Sequence, residues 1–312
     1  MSMRLEMLQV ARLAPKVLGE SAELVRDFVL KQQNDDGGFR DRAGKSDLYY
    51  TVFGLDGLLA LDVSALKPHV SSSQLGDRFA QTTRYLQNFD PGPGMDFVHL
   101  CCLARAWAAI ASQGSMTPRF PECRDSLLGR IEEYRSEDGG YNPVPGAKFG
   151  TVYGCFLALG AYQDLKSKLP QPLRLAQGLK FLETADGAWA NERNLKTGST
   201  NPTAAATTVL RNLSLPMNPA VGDWLLARFH ADGGFLAAPQ APMPDLLSTA
   251  TALHALAGLE ISCDHVREQC LDFIDTLWTN EGAFHGHWGD DQVDTEYTFY
   301  GLLALGHLWR RP

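Results

Sequence analysis

The chain has 312 residues, with 28 Lys and Arg against 36 Asp and Glu, a formal net charge of −8. An acidic balance with no basic block argues against nucleic acid and against an anionic membrane surface as partners, and no apolar run approaches the roughly 18–20 residues of a transmembrane segment. An apolar fraction of 45% is ordinary for a soluble chain long enough to bury a core.

In chain order, residues 1–19 come first. They mix Arg4, Glu6, Arg12 and Lys16 into their apolar positions, unlike the apolar block of a signal peptide. They predict one helix, with Leu5, Leu8 and Leu13 as its apolar face. The six cysteines (101, 102, 123, 155, 263 and 270) form no CxxC pair and read as reduced core residues of a cytoplasmic protein.

From about residue 20 the chain repeats itself. A first mark, an acid followed by Gly, Gly or Ala, and an aromatic, recurs as Asp36-Gly37-Gly38-Phe39, Asp138-Gly139-Gly140-Tyr141, Asp186-Gly187-Ala188-Trp189, Asp232-Gly233-Gly234-Phe235 and Glu281-Gly282-Ala283-Phe284. A degenerate copy stands at Phe89-Asp90-Pro91-Gly92-Pro93-Gly94. Each follows an apolar-periodic stretch, as at 24–33 or 266–277, so its Gly is expected to close the last helical carbonyls in the left-handed conformation. The aromatic is expected to pack back between helices.

A second mark follows ten to sixteen residues later, at Thr51, Leu100, Thr151, Thr203, Thr249 and Thr298, with intervals of 49, 51, 52, 46 and 49 residues. Each opens a helical stretch such as 51–61, 100–110 or 298–308. Small residues at its fourth position predict close approach of neighbouring helices. The reading is one all-α domain, 1–312, with an N-terminal helix in 1–20 and six helical hairpins from 21 to 312. Such hairpins make either an open solenoid or a closed ring.

The first unit, from Gly37-Gly38-Phe39-Arg40-Asp41-Arg42 through Lys45-Ser46-Asp47-Leu48-Tyr49-Tyr50-Thr51, resembles the last repeat of protein prenyltransferase β subunits, and the Asp-Gly-Gly-aromatic mark resembles the repeats of squalene-type terpene cyclases. The resemblance implies an α/α toroid whose inner helices enclose an apolar funnel for an isoprenoid chain. In the transferases an Asp-x-Cys pair and a His hold zinc. By chain order these fall on Asp245-Leu246-Leu247 and Tyr297, so the usual zinc Cys and His are absent. By local likeness the pair falls on Asp294-Thr295-Glu296, with Tyr50 at the His position of the next unit. Asp294, Glu296 and Tyr50 are then candidate catalytic residues, with Asp294 and Glu296 as weak metal candidates better suited to a hard cation such as Mg than to Zn. The cyclase acid motif, DxDD, also resembles Asp294-Thr295-Glu296-Tyr297, with Glu296 at the central acid.

If the position of the transferase Cys faces the funnel, residues four and seven further on share that face. The upper layer is then Tyr49, Val98, Phe149, Asn201, Leu247 and Glu296. Phe53, Cys102, Tyr153, Ala205, Thr251 and Tyr300 form the middle, and Asp56, Arg105, Phe156, Thr208, His254 and Leu303 the bottom. The aromatics among them (Tyr49, Phe53, Phe149, Tyr153, Phe156 and Tyr300) form the expected prenyl-chain pocket. Arg40, Arg42 and Lys45, on the loop into the mouth, are candidate diphosphate ligands. His287 and Tyr297 join them because they stand where the family places an Arg and a Tyr on the diphosphate.

Each feature also has a structural reading. Asp47, Asp96, Asp245 and Asp294, with Ser199, stand four residues before the second mark. They are helix N-caps or a ring of carboxylates for a diphosphate and Mg²⁺. Crowding of Asp294 by Asp290, Asp291 and Glu296 would raise the pKa of at least one acid. Asp56 and Arg105 predict a buried ion pair, and His254 a hydrogen-bonded core histidine. His99 matches a zinc-His position but faces Asp47-Leu48-Tyr49, a poor zinc set. The resemblance implies an isoprenoid-diphosphate-using enzyme with a prenyl chain in the funnel, for which a helical partner subunit is possible. The alternatives are a class II-type terpene cyclase with Glu296 as general acid, and a non-catalytic toroid that binds a polyprenyl lipid or a partner.

Overall fold

A computed structural model describes residues 1–61, 72–89, 94–113 and 120–310. Most of the degenerate second-unit mark, 90–93, lies outside the described residues. The helices in chain order are α1 (Met3–Ala11), α2 (Pro15–Leu18), α3 (Ser21–Lys31), α4 (Leu48–Leu61), α5 (Ser72–Gln87), α6 (Phe97–Ala111) and α7 (Phe120–Glu132). Then come α8 (Val152–Asp164), α9 (Pro172–Lys180), α10 (Thr200–Asn212), α11 (Ala220–Leu226), α12 (Leu246–Gly258), α13 (Arg267–Thr276) and α14 (Thr295–Leu308).

The even-numbered helices from α4 to α14 pack each against the next, and α14 packs back onto α4. The six hairpins therefore close into an α/α toroid, with the odd-numbered helices from α3 to α13 as their outer members. Patterning explains the division. Inner α4 is apolar on every side and all but Tyr49 and Tyr50 of its residues are buried, as expected of a helix enclosed by others. Outer α3 buries only Ala22, Val25, Phe28 and Val29, one stripe of an amphipathic helix.

Five of the inner helices begin three residues before the second mark, directly after Asp47, Asp96, Ser199, Asp245 or Asp294, while α8 begins after Thr151 itself. Asp96 accepts from the His99 N–H at 2.9 Å, Asp245 from Ser248 at 2.7 Å and Asp294 from Tyr297 at 2.9 Å. Thr151 does the same for Gly154, while Ser199 sits at its N-cap position without a side-chain bond.

The first mark differs from its expected geometry in one respect. Gly37 is left-handed at φ +94°, but its N–H bonds to the Asn34 carbonyl, past the end of α3. The turn thus reverses the chain after the helix instead of closing the helix itself. All five described copies have this positive φ at the first Gly. The reversal delivers the aromatic into the core, where Phe39, Tyr141, Trp189, Phe235 and Phe284 are essentially buried.

The two marks then lock together. The backbone N–H groups of Phe39, Trp189 and Phe235 donate to the hydroxyls of Thr51, Thr203 and Thr249. The small fourth residue receives that aromatic rather than a neighbouring helix. A Cβ on Gly54 would lie 2.2 Å from Phe39, and one on Gly301 would lie 2.6 Å from Phe284.

Among the described residues, strands are limited to two short antiparallel pairs, β1 (Phe39–Arg40) with β2 (Ser46–Asp47) and β3 (Phe235–Leu236) with β4 (Pro244–Asp245). Helix α1 lies against α4, α8 and α14. Leu5 is its exposed side, whereas Met3, Arg4, Leu8 and Ala11 are buried. The backbone contact is tight, since a Cβ on Gly306 of α14 would stand 2.0 Å from the Val10 carbonyl. Among the described residues no helix is long and apolar enough to cross a membrane.

Candidate active site

The inner helices enclose a cavity of about 330 Å³. Offsets of four and seven residues along each helix explain its walls. Tyr49, Asn201, Leu247 and Glu296 line it near the helix N-termini, and Phe53, Cys102, Tyr153, Ala205, Thr251 and Tyr300 line it one turn down. Arg105, Phe156, Thr208, His254 and Leu303 come next, above Met3, Arg4 and Met7 of α1. Helix α1 therefore floors the cavity, a closure that the repeat pattern did not contain.

Three expected lining positions, Val98, Phe149 and Asp56, are not part of the cavity wall. Phe149 is 45% exposed and lies outside the cavity with the Arg193 guanidinium 4.0 Å from its ring centroid. It precedes the Thr151 cap of α8, so helical spacing does not apply to it. Asp56 is fully buried behind the wall.

At the upper edge, Tyr49 donates its hydroxyl to Glu296 Oε1 at 2.5 Å. Burial pushes the Glu296 carboxyl up to about 7; the Tyr49 bond pulls the other way, and Asp294 adds to the rise. Desolvation is thus the leading cause, ahead of the like-charge crowding expected at this loop. Burial likewise drives the Tyr49 phenol far above its ordinary range, which keeps it a donor. Glu296 Oε2 has no hydrogen-bond partner among the described residues. A carboxyl that holds its proton near neutral pH beside a largely apolar, aromatic-lined pocket can act as a Brønsted acid.

Tyr50, the other expected partner of Glu296, does not reach it. Its carbonyl accepts from the Thr295 hydroxyl at 3.0 Å, and its ring contributes nothing to the cavity wall. Successive helical residues point about 100° apart, and Tyr49 is the one that faces inward.

Asp294 is held elsewhere too. Its Oδ1 caps α14, and its Oδ2 accepts from Arg42 Nε at 2.7 Å. Asp294 is capped and ion-paired and Glu296 is bonded to Tyr49, so the Zn or Mg site considered for them would rest on two carboxyls that already have partners, a poor fit to either metal. Among the described residues no group of three His, Cys, Asp or Glu side chains could hold a metal ion. Burial also pushes the Cys102 thiol up to about 12, so the one sulfur in the middle layer is no thiolate.

Of the five residues expected to hold a diphosphate, Arg42 and Tyr297 lie together, and each of the others has its own partner or is exposed. Arg42 is bidentate to Asp290, at 3.1 and 2.8 Å, besides its bond to Asp294. Arg40 Nε instead donates to Gln32 Oε1 at 2.7 Å, toward the end of outer helix α3. Lys45 is exposed in the turn, where its backbone N–H donates to Asp41. His287 Nδ1 accepts from the Gly289 N–H. Tyr297 lies with its ring 5.4 Å from the Arg42 guanidinium and against Gly286.

His99 bridges two caps, 2.8 Å from Asp96 and 3.1 Å from Asp47. The Asp47 bond, assisted by Asp96, raises its pKa to about 9, so it is an imidazolium that ties α4 to α6. Below the cavity, Asp56 accepts from Arg4 at 3.1 Å and from Arg105 at 2.9 and 2.7 Å. Arg4 also faces Asp164 at 3.4 Å. The Asp56–Arg105 pair was legible from helical spacing; Arg4 and Asp164 had no signal, since neither belongs to a repeated mark.

Residues 6–92 and 180–310, well over half the chain, match the prenyltransferase alpha-alpha toroid domain. The chain belongs to that family. No curated protein matches this toroid in sequence. Among solved structures, it resembles the type II terpene cyclase MstE from Scytonema in a complex with geranylgeranyl dihydroxybenzoate, at 14% identity and a TM-score of 0.61 over 95% of this chain and 97% of that one. Candida albicans protein geranylgeranyltransferase-I complexed with GGPP aligns at 12% identity and a TM-score of 0.63, over 92% of this toroid and 90% of that chain. An alpha-1,6-mannanase of Salegentibacter, in complex with alpha-1,6-mannotriose, aligns at 13% identity and a TM-score of 0.63, over 93% and 98%. At these identities the likeness is one of fold, and chemistry must be argued from the toroid's own residues.

Proposed function

We propose that this toroid is a class II-type terpene cyclase with Glu296 as its general acid. The observation that supports the reading best is the Tyr49–Glu296 pair at the edge of the aromatic cavity, where burial raises the acid to about 7. In this reading the Oε2 proton of Glu296 passes to an alkene or epoxide of a bound isoprenoid. A new C–H bond forms as the π bond breaks, or a new O–H bond as the epoxide C–O bond opens, and the electron deficiency moves to the more substituted carbon. The next double bond attacks that carbon and closes a ring, and loss of a proton from the carbon beside the final cation gives the neutral product. Phe53, Tyr153 and Tyr300 offer ring faces to the cation, and the Tyr49 hydroxyl stabilises the carboxylate left behind. Water is kept away by the apolar walls, so ring closure competes with quenching.

A diphosphate-using prenyl transferase is the second reading, favoured by the family match and by the same chain pocket. It has less to hold a diphosphate, because Arg42 is engaged by Asp290 and Asp294. The cyclase reading requires no helical partner subunit, and cysteines without a CxxC pair accord with a cytoplasmic location.

The test is turnover of geranylgeraniol, geranylgeranoic acid, squalene and geranylgeranyl diphosphate in D2O. Cyclised product with carbon-bound deuterium from at least one of them, abolished in Glu296→Gln, is the expected result. Cyclised product that persists in the variant, or prenyl transfer without cyclisation, would replace the proposal with another.

A further inference from the structure

The lower end of the cavity differs from its walls. At that end the Thr208 hydroxyl donates to the Ala204 carbonyl on its own helix at 2.8 Å, and His254 has Nδ1 3.0 Å from His307 Nε2, with its own Nε2 buried and unbonded among the described residues. Arg105 is different. Its Nε and Nη2 are engaged by Asp56 Oδ2, while Nη1 has no acceptor among the described residues. The 18% of its side chain that stays accessible belongs to a residue of the cavity lining. Its guanidinium is held in place by Asp56 on one side and by the ring of Phe53, 5.3 Å away, on another. It is thus a fixed donor in the lining of a mostly apolar cavity, with Arg4, Asp164, Thr208 and His254 as the other polar residues of this end, two helical turns or about 10 Å below the level of Glu296.

We infer that this end of the cavity is a recognition subsite for a single oxygen-bearing group, a hydroxyl, carbonyl or carboxylate, on the end of the isoprenoid opposite the protonated one, with Arg105 Nη1 as its donor. The inference rests on the cyclase reading and adds the class of substrate: an oxygenated isoprenoid, and neither a plain hydrocarbon nor a diphosphate. Charge argues against the diphosphate. Arg4 and Arg105 are balanced here by Asp56 and by Asp164, whose carboxyl burial raises to about 6. Two cations already matched by carboxylates have room for one further acceptor atom, whereas a polyanion would meet Asp56 and Asp164 in a low-dielectric space. A neutral or singly charged oxygen instead supplies the acceptor that the guanidinium lacks.

The test is equilibrium binding of four probes of one chain length, farnesol, farnesoic acid, farnesene and farnesyl diphosphate, to the wild-type protein and to Arg105→Lys, with circular dichroism to verify that the variant is folded. Farnesol or farnesoic acid should bind about tenfold or more tightly than farnesene and farnesyl diphosphate, the discrimination expected of a hydrogen bond to a charged donor. Arg105→Lys, which keeps the charge opposite Asp56 but not the fork, should bring the oxygenated probes to within about threefold of farnesene. Equal affinity for farnesene and farnesol would overturn the subsite while the hydrocarbon pocket stands, and so would tightest binding of the diphosphate. Discrimination that survives in a folded Arg105→Lys would remove the assignment to Arg105. Failure of all four probes to bind would instead take down the isoprenoid reading itself.

Discussion

Tyr49 and Glu296 stand 247 residues apart, on the first and last inner helices, and their 2.5 Å hydrogen bond spans the seam where the toroid closes. The bond holds the carboxyl against the cavity and favours its ionised form, in opposition to burial. Tyr49→Phe should therefore lower turnover by about tenfold, through a less stabilised carboxylate, and move the alkaline limb of the pH–rate profile upward. A purely structural loss would leave that limb where it was.

The pH dependence has a definite sign. Glu296 must carry a proton to act, so turnover should be greatest below about 7 and fall as pH rises through that value. Because the folded state holds this proton more tightly than an ordinary carboxylate does, the associated stability is present at acid pH and lost as pH rises through about 7. Glu296→Gln, inactive at every pH, should melt at least about 2 °C higher than wild type at pH 8. An unchanged or lower melting temperature at pH 8 would contradict the burial argument.

His99 titrates in a different window. Raised to about 9 by Asp47 and Asp96, it contributes stability that is fully present below its ordinary value of 6.5 and lost as pH rises through about 9. The pair is partly solvated, so the effect is modest and screened by salt. His99→Gln should melt below wild type at pH 6 and converge with it by pH 10. Thermal melts at the two pH values decide this, and a gap that persists at pH 10 would refute it.

The ion cluster beneath the cavity should be sensitive to loss of its central member. Asp56→Asn leaves Arg4 and Arg105 without their shared carboxylate and should cost about 3–5 kcal/mol in chemical denaturation, the range for an uncompensated buried charge. Deleting residues 1–11 removes Arg4 together with the floor of the cavity. That truncation should destabilise the toroid and admit the fluorescent dye ANS to the cavity.

Two glycines test the lock between the repeated marks. Gly54→Ala would place a Cβ 2.2 Å from the Phe39 ring and should cost about 1–3 kcal/mol through forced repacking. Gly76 in α5 has no atom within 4 Å of such a Cβ. Gly76→Ala should accordingly be neutral or stabilising by up to about 1 kcal/mol. Similar losses at the two sites in urea titrations would show that the fit of ring on glycine is not what matters.

Much of this architecture is local, and for that reason it is legible without coordinates. A Gly that must be left-handed, an Asp that must cap, and a helical face that repeats every four and seven residues are all properties of a few neighbouring residues. Six copies at nearly constant spacing then imply six hairpins, and Phe53, Tyr153 and Tyr300 come to the same level of one cavity as a consequence of spacing alone.

The tertiary structure decided what depends on contacts between distant elements. Only closure of the ring brings Tyr49, and not Tyr50, to Glu296. The same closure hands Arg42 to Asp290 and Asp294 and so removes it from the free cations of the mouth. Arg4 lies in a non-repeated segment, and nothing in its neighbours tells that α1 will carry it under the cavity. Phe149 shares its spacing with the wall residues but precedes the cap of its helix, so periodicity placed it inside while the loop carried it out. Periodic sequence fixes direction within an element, whereas the partner across the ring is chosen by the packing of the whole.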